Sequence, residues 1–519
     1  MLLHDFFLRS AAQHPEHTAL VCDGQRHSFA QLQQQAHRLA WQLQSHGLQR
    51  GERVALFMDN RLEMAVAVWA VLQAGGVFMP INPLTKADKL AYMLNDARAK
   101  VLLTQDSLSK TWLAALADNT SVAVTWVCGQ ASGLTPITEQ ANARVHAWPA
   151  ACDQQALGDL RTGLIDQDLA AIIYTSGSTG DPKGVMLSHL NMVSACTSVS
   201  SYLGLRQDDT VLCALPLAFD YGLYQWLMCA RVSATLVLER SFTFPVKVLE
   251  VMVKERVTVF PGVPTMFSML TNLQSLPSFD LGALRMITNT AAALSEAHIQ
   301  RLRALFPHAT LFSMYGLTEC KRVTYLPPEQ LDARPTSVGR GMPNEEVWLV
   351  NEAGERLPNG STGELVVRGS NVMLGYWEKP EATAQRLKPG PSIGGLPGAP
   401  VLHTGDLFRT DADGYLYFVA RKDDIIKSRG EKVSPKEVEN ALYAIEGVLE
   451  AAVIGVPDEL LGQAVKAFVV LQPGVTLSER DVIRECLARL ENFMAPKHVV
   501  FLDALPKTDT GKIKKTGLA

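Results

Sequence analysis

Several features that would place a chain in a narrow class are missing here. The eight cysteines (Cys22, Cys128, Cys152, Cys196, Cys213, Cys229, Cys320 and Cys486) are scattered and form no Cys-x-x-Cys pair. That excludes a zinc knuckle or a disulfide scaffold and points to a reducing compartment. Long apolar runs are also missing: the best, Met64 to Leu72, falls far short of the ~20 residues of a membrane helix. The opening MLLHDFFLRSAAQHPEHTAL has no positive n-region of a secretory signal. A cytoplasmic protein without a transmembrane segment is expected. There is no large charge imbalance either. With 19% charged residues and a net charge of −4, nothing electrostatic recommends DNA, RNA or an anionic membrane as partner.

What is present is bulk and alternation. A chain of 519 residues, 47% of them hydrophobic, is too long for one ordinary core, so a large domain plus at least one smaller one is expected. Ser28 with Gln31 forms a capping box, and Phe29, Leu32, Ala36, Leu39, Ala40 and Leu43 recur at helical spacing up to Gly47. Arg53 to Met58 then reads as a buried strand, and Met64 to Leu72 as a helix stopped by Gly75-Gly76. A further strand and a helix from about Lys86 follow. Strand-like runs return at Val101–Leu103, Thr235–Leu238 and Val257–Phe260, so the expected class is α/β, layered and with largely parallel sheets. Lys388 to Pro400 holds four prolines and four glycines and is expected to be an irregular surface excursion. Past the abruptly charged Arg421-Lys422-Asp423-Asp424, Ser434-Pro435-Lys436-Glu437 starts a helix. Strands at Ala451–Val456 and Ala464–Leu471 and a helix at Ser478–Leu490 follow, a pattern that suits a small α+β domain. The expected split is residues 1–422 and 423–519.

The segment most informative about chemistry is Tyr174-Thr175-Ser176-Gly177-Ser178-Thr179-Gly180-Asp181-Pro182-Lys183-Gly184. Glycines let backbone N–H groups approach phosphate oxygens and Lys183 adds charge, so a polyphosphate-wrapping loop is expected. The spacing is neither the P-loop pattern nor the dinucleotide fingerprint. A flexible Gly/Ser linker is the bland alternative. The apolar run Leu169–Tyr174 before the loop and the helix start at Ser188 argue against it.

Further motifs stand in order along the chain: Met314-Tyr315-Gly316-Leu317-Thr318-Glu319, Gly363-Glu364-Leu365 with Gly375-Tyr376-Trp377, His403-Thr404-Gly405-Asp406, Arg421-Lys422-Asp423-Asp424-Ile425-Ile426-Lys427, and Leu505-Pro506-Lys507-Thr508-Asp509-Thr510-Gly511-Lys512. Together with the loop they resemble the adenylate-forming superfamily of acyl-CoA synthetases, aryl-CoA ligases, luciferases and peptide-synthetase adenylation domains, over the chain from about residue 10 to the end. In wording the chain is similar to stand-alone acyl-CoA-ligase-like enzymes of bacterial biosynthetic clusters. The resemblance implies a large AMP-binding domain and a small mobile lid domain. It also implies ATP-dependent conversion of a carboxylic acid to an acyl-AMP, with transfer to the thiol of CoA or of a phosphopantetheinyl carrier protein. No carrier domain follows Lys512, so any carrier is expected to be a separate protein.

The resemblance also implies roles for single residues. Lys512 supplies positive charge to the adenylation transition state, Glu319 holds Mg²⁺ and Thr318 assists at the α-phosphate. Thr175, Ser176, Gly177, Ser178, Thr179, Gly180 and Lys183 grip the phosphates, with Tyr315, Gly316 and Arg421 completing the nucleotide site. Asp406 accepts hydrogen bonds from the ribose hydroxyls. Asp423 is the hinge, and Lys432 a phosphate-neutralising cation brought in by the second domain orientation. Ala420 replaces the usual glycine before Arg421, and Asn289 to Leu294 replaces a glycine-containing loop at the adenine. For His189 a structural role weighs at least as much as a catalytic one.

The acid pocket is expected from Asp220, Tyr221, Tyr224, Met314 and Arg322, and its substrate stays open at this point. An aspartate at position 220 hints at pairing with an amino acid's α-ammonium, while Leu215-Pro216-Leu217 and Tyr221-Gly222-Leu223 are worded like acyl ligases. Asp220 could equally pair with Lys321 or Arg322, and Arg322 could bind a polar or acidic substrate tail. An amino acid:carrier-protein ligase is therefore the main alternative. A luciferase-like oxidoreductase and a non-catalytic nucleotide binder are remote ones.

Overall fold

The computed structural model describes residues 1–117, 121–129, 144–148, 158–161, 163–175, 182–290, 294, 296–393, 396–428, 431–458, 461–507, 513–515 and 517–518. The fold is mixed α/β, with a large N-terminal domain and a small C-terminal one. Two large sheets carry the N-terminal part. The eight-stranded sheet runs Gly375–Tyr376, Lys183–Ser188, Leu169–Thr175, Val77–Ile81, Arg53–Phe57, Val101–Gln105, Val124–Cys128, Arg144–Ala147. The last six of these strands are mutually parallel. The nine-stranded sheet is parallel from Thr310–Tyr315 through Met286–Asn289, Val259–Gly262, Thr210–Cys213 and Thr235–Leu238 to Thr18–Cys22, with short antiparallel strands at both edges.

The sequence pattern explains this layering. In Arg53–Phe57 the alternate residues Val54 and Leu56 enter one core while Ala55 and Phe57 enter another with Leu90, Leu94 and Trp112. A strand buried on both faces needs a continuous apolar run, and this one has it. The helix Leu62–Gln73 is buried from Met64 to Gln73, as a helix apolar all round must be. Trp226, from a helix flanked by strands of the other sheet, donates its indole N–H to Ala65 C=O at 3.0 Å, and Phe7 stacks on Trp69 at 5.0 Å. The two sheets thus share this central layer.

A third, antiparallel sheet follows in the order Glu345–Val350, Thr362–Gly369, Leu396–Thr410, Leu387–Ile393, with Leu416–Arg421 paired to Leu396–Thr410. This corrects the expectation for Lys388 to Pro400, which falls in a hairpin of two paired strands. The prolines are tolerated because Leu387–Ile393 lies on the sheet edge, where a missing N–H breaks no inner ladder. The strand partners of Thr362–Gly369 begin only at Leu402, so Pro397 and Pro400 face that edge strand alone.

A fourth sheet, Glu431–Val433, Ile426–Ser428, Gly462–Leu471 and Val448–Asp458 with His498–Phe501 beside it, encloses its own core of Ile426, Val438, Leu442, Val453, Val469 and Val482. The short turn Lys422–Asp424 separates it from the third sheet. Ser434 caps the helix Pro435–Tyr443, its hydroxyl accepting from Glu437 N–H. No described helix is long and apolar enough to cross a membrane. The seven described cysteines are buried and unpaired.

Candidate active site

The glycine-rich loop joins two strands. Leu169–Thr175 and Lys183–Ser188 are antiparallel partners ending on the pair Thr175 and Lys183, and a helix follows only at His189. Ser188 caps that helix in a box with Asn191. The sequence placed the cap correctly but missed the strand before it, because Pro182-Lys183-Gly184 reads as turn chemistry. Ser176, Gly177, Ser178, Thr179 and Gly180 lie outside the described residues, as does Lys512.

Lys183 emerges from this hairpin with its Nζ 5.6 Å from the Tyr376 ring centroid. The Tyr376 hydroxyl donates to Glu319 Oε1 at 2.7 Å. Burial first, then the charge of Glu319, pushes that phenol up, so it stays a donor. The sequence thus places Lys183, Tyr376 and Glu319 far apart, and the antiparallel pairing of Gly375–Tyr376 with Met186 and Val185 brings them together. Glu319 is fixed from the other side by Met373 N–H, which donates to its carbonyl at 2.7 Å.

A second hydroxyl–carboxylate pair lies at the end of the strand Thr310–Tyr315. Tyr315 donates to Asp406 Oδ2 at 2.5 Å, while Asp406 Oδ1 is buried without a hydrogen-bond partner among the described residues. Arg421, the strand partner of Asp406, brings its Nε only to 3.5 Å from Oδ1. Burial raises the Asp406 carboxyl above its ordinary range, against the opposing pull of Tyr315 and Arg421. Arg386 adds charge nearby: a Cβ on Gly405 would meet its Nη1 at 2.0 Å, at a backbone φ of +73°. Ala420 pairs with Leu407 beside a register shift in the strand but has no positive φ, so its backbone does not require glycine. Of the adenine-side departure, Asn289 and Thr290 are buried and 291–293 fall outside the described residues.

Between the two pairs the chain reverses tightly. Val323 N–H returns to Tyr315 C=O at 2.9 Å, and Gly316 is required because a Cβ there would meet Lys321 O at 2.4 Å. Thr318 is half-buried on this turn. Glu319 leaves the turn toward Tyr376, whereas Lys321 and Arg322 leave it toward the helix Asp220–Val232.

There the expected pocket residues gather. Lys321, 2% exposed at its side chain, lies 3.8 Å from Asp220 Oδ2 and donates to the Asp220 carbonyl at 2.8 Å. Its Nζ stands 4.5 Å over the Tyr224 ring, and Arg322 Cζ stands 5.1 Å from the Tyr221 ring. Asp220 therefore pairs with Lys321 and not with Arg322. Burial lowers Lys321 to about 7, with Asp220 opposing and Arg322 adding to the shift. Tyr221 donates to Thr288 C=O at 2.8 Å, and Tyr202, stacked on Tyr325 at 4.0 Å, donates to Met314 Sδ at 2.9 Å.

Other sequence candidates separate from this cluster. His189 accepts from Leu3 N–H through Nδ1 at 3.0 Å, and burial holds its pKa at about 4, so it pins the N-terminal helix. Asp423 falls in the turn Lys422–Asp424 and Lys432 in the strand Glu431–Val433. Sequence reasoning quoted Tyr376 in a motif without giving it a role, offered Lys321 only as a possible partner of Asp220, and missed Arg386.

The AMP-binding enzyme family model matches residues 7–377, and that of the AMP-binding enzyme C-terminal domain matches residues 437–512. The chain is 32% identical to a long-chain-fatty-acid–CoA ligase of Bacillus subtilis, over 99% of this chain and 94% of that protein. It is 34% identical to a feruloyl-CoA synthase of Amycolatopsis, over 98% and 96% respectively. Among solved structures, ATP-bound MatB from Rhodopseudomonas palustris superposes with a TM-score of 0.85 at 30% identity, covering 100% of this chain and 98% of that one.

Proposed function

The chain belongs to the AMP-binding enzyme family, the adenylate-forming ligases, and from that premise we propose that it activates a carboxylic acid with ATP and passes the acyl group to the thiol of CoA. It is an AMP-forming acid–thiol ligase. In the first step a carboxylate oxygen attacks the α-phosphorus, the bond to the β-phosphate breaks and pyrophosphate leaves. In the second the thiol sulfur attacks the acyl carbon, the bond to AMP breaks, and the thiol proton passes to solvent.

The observation that carries this reading is Asp406. One carboxylate oxygen is held by Tyr315 and the other is buried without a hydrogen-bond partner among the described residues. An acceptor-only group so prepared suits hydroxyl donors such as those of a ribose. Arg421 and Arg386 oppose the effect of burial and favour its ionised form. Across the turn, Lys183 and the Tyr376-held Glu319 suit the polyphosphate and its cation.

Among the described residues no group of three or more His, Cys, Asp or Glu side chains gathers to hold a metal. A single carboxylate fits Mg²⁺, which binds through one or two carboxylates plus substrate phosphates. Glu319 is the residue to hold it, and the ion supplies charge neutralisation at the phosphates. Lys512 is assigned the transition-state charge at the α-phosphate and Thr318 a hydrogen bond beside it. We divide the domains at 422/423, make Asp423 the hinge, and assign Lys432 to the thiolation orientation.

The acid is assigned no α-amino group, because the position where Asp220 would receive an ammonium already holds that of Lys321. The deciding experiment is exchange of labelled pyrophosphate into ATP across fatty, aryl, dicarboxylic and amino acids, followed by thioester formation with CoA and with a holo-carrier protein. Acid-dependent exchange and a CoA thioester are expected. A thioester on the carrier alone moves the acceptor to that protein, and exchange with no acid refutes the function.

A further inference from the structure

Arg322 is the least compensated charge of the pocket. It is 1% exposed, its Nε has no hydrogen-bond acceptor among the described residues, and no described carboxylate ion-pairs with it. A guanidinium cannot shed its proton to escape burial, and a buried charge without a counter-ion is among the most costly arrangements a fold can keep. The Tyr221 face at 5.1 Å offsets only part of that cost.

The neighbouring charges do not cancel it. Asp220 is paired with Lys321, which itself has a side chain 2% exposed. Glu345 accepts from Asn371 at 2.6 Å, and burial pushes its carboxyl well up, against that bond, toward the neutral form. Asp220 is thus taken by Lys321, and Arg322 is left without a carboxylate of its own among the described residues, beside Tyr202, Tyr221 and Tyr224. The missing anion has to arrive with a ligand.

The carboxylate being activated does not meet this need. Its partner is the α-phosphate at Thr318 and Glu319, and Glu319 leaves the turn toward Tyr376 and Lys183, while Arg322 leaves it toward the helix Asp220–Val232. Building on the acid-activating function proposed above, we infer that Arg322, backed by Lys321, binds a second anionic group of the acid, so that the substrate is a dicarboxylate or an acid with an equivalent anionic tail. A planar guanidinium can grip such a carboxylate through two parallel bonds.

The test uses the full-length protein and chain-length-matched pairs: butyrate with succinate, hexanoate with adipate, benzoate with terephthalate. In pyrophosphate exchange the better dicarboxylate should exceed its monocarboxylate partner in kcat/KM by about tenfold or more, and Arg322→Met should shrink that ratio by about 10- to 100-fold, the scale of one charge-assisted contact. Without ligand, Arg322→Met should melt no lower than the parent protein, because a buried unpaired cation has been removed. Should that variant fail to fold, Arg322→Lys keeps the charge and loses the fork, and should lower the ratio by about tenfold. Direct calorimetric binding of the dicarboxylate in the presence of AMP gives the same comparison without turnover, so failed catalysis and a misassigned pocket are told apart. A preference for monocarboxylates or α-amino acids, or a ratio unmoved by either substitution, overturns the inference.

Discussion

Replacing Asp406 by asparagine separates nucleotide recognition from folding. Asn keeps the shape and an oxygen for the Tyr315 hydroxyl, now 2.5 Å from Asp406 Oδ2, but turns the other, unpartnered oxygen into an N–H₂ donor facing the ribose hydroxyls. A hydrogen bond to a charged group contributes about 1.5–3 kcal/mol, and each 1.4 kcal/mol is tenfold in affinity, so AMP should bind about 10- to 150-fold more weakly. Stability should move the other way. Burial raises the Asp406 pKa in the folded state, so between the ordinary and the raised value the native protein binds more protons than the unfolded one. Stability therefore falls as pH rises through that interval. At neutral pH the ionised carboxylate burdens the unliganded fold, and Asn removes the burden. Arg421, half-exposed, loses little. Calorimetric titration with AMP and melting curves at pH 7.5 without nucleotide measure both effects. An AMP affinity within twofold of the parent, or a clearly lower unliganded melting temperature, refutes the reasoning.

Tyr376→Phe keeps the ring beside Lys183 but deletes the donor to Glu319. kcat/KM for ATP should fall about tenfold and the Mg²⁺ titration should shift, checked by pyrophosphate exchange over a range of Mg²⁺. His189→Ala should destabilise the fold by about 1–3 kcal/mol through the orphaned Leu3 N–H, and chemical denaturation should register the loss. A folded His189→Ala enzyme should keep its kcat within about twofold, since among the described residues the ring's hydrogen bond is to Leu3 and none reaches the nucleotide site. The parent protein should lose the His189 contribution as pH falls from 6.5 through about 4, because the folded imidazole resists the proton that the unfolded one takes up. That loss should be absent from the pH–stability curve of the variant.

The layers were legible because local signals agreed with one another. The capping box at Ser28, the N-cap at Ser188 and the doubly buried run Arg53–Phe57 each state their structure within a few residues. The hairpin over Lys388 to Pro400 was hidden because its prolines are acceptable only on an edge, and edges are a property of the whole sheet. The same holds for the site. Motif residues such as Glu319 and Asp406 were identifiable by resemblance, but their pairings with Tyr376 and Tyr315 were not. Tyr376 is 57 residues from Glu319, Tyr315 is 91 from Asp406, and Lys321 is 101 from Asp220. Which of Lys321 and Arg322 would pair with Asp220 depended on where each side chain lands along the helix Asp220–Val232, Lys321 at Asp220 and Tyr224 and Arg322 at Tyr221, which adjacency in sequence does not determine.

The central claim, that the acid's own oxygen is bonded to the α-phosphorus of ATP, is tested most directly with substrate labelled with ¹⁸O in its carboxylate. After a complete turnover with CoA, mass spectrometry of the AMP should find one ¹⁸O atom per molecule, left behind when the thiol displaces AMP from the acyl carbon. AMP free of label, or release of ADP and phosphate in place of AMP and pyrophosphate, would contradict it.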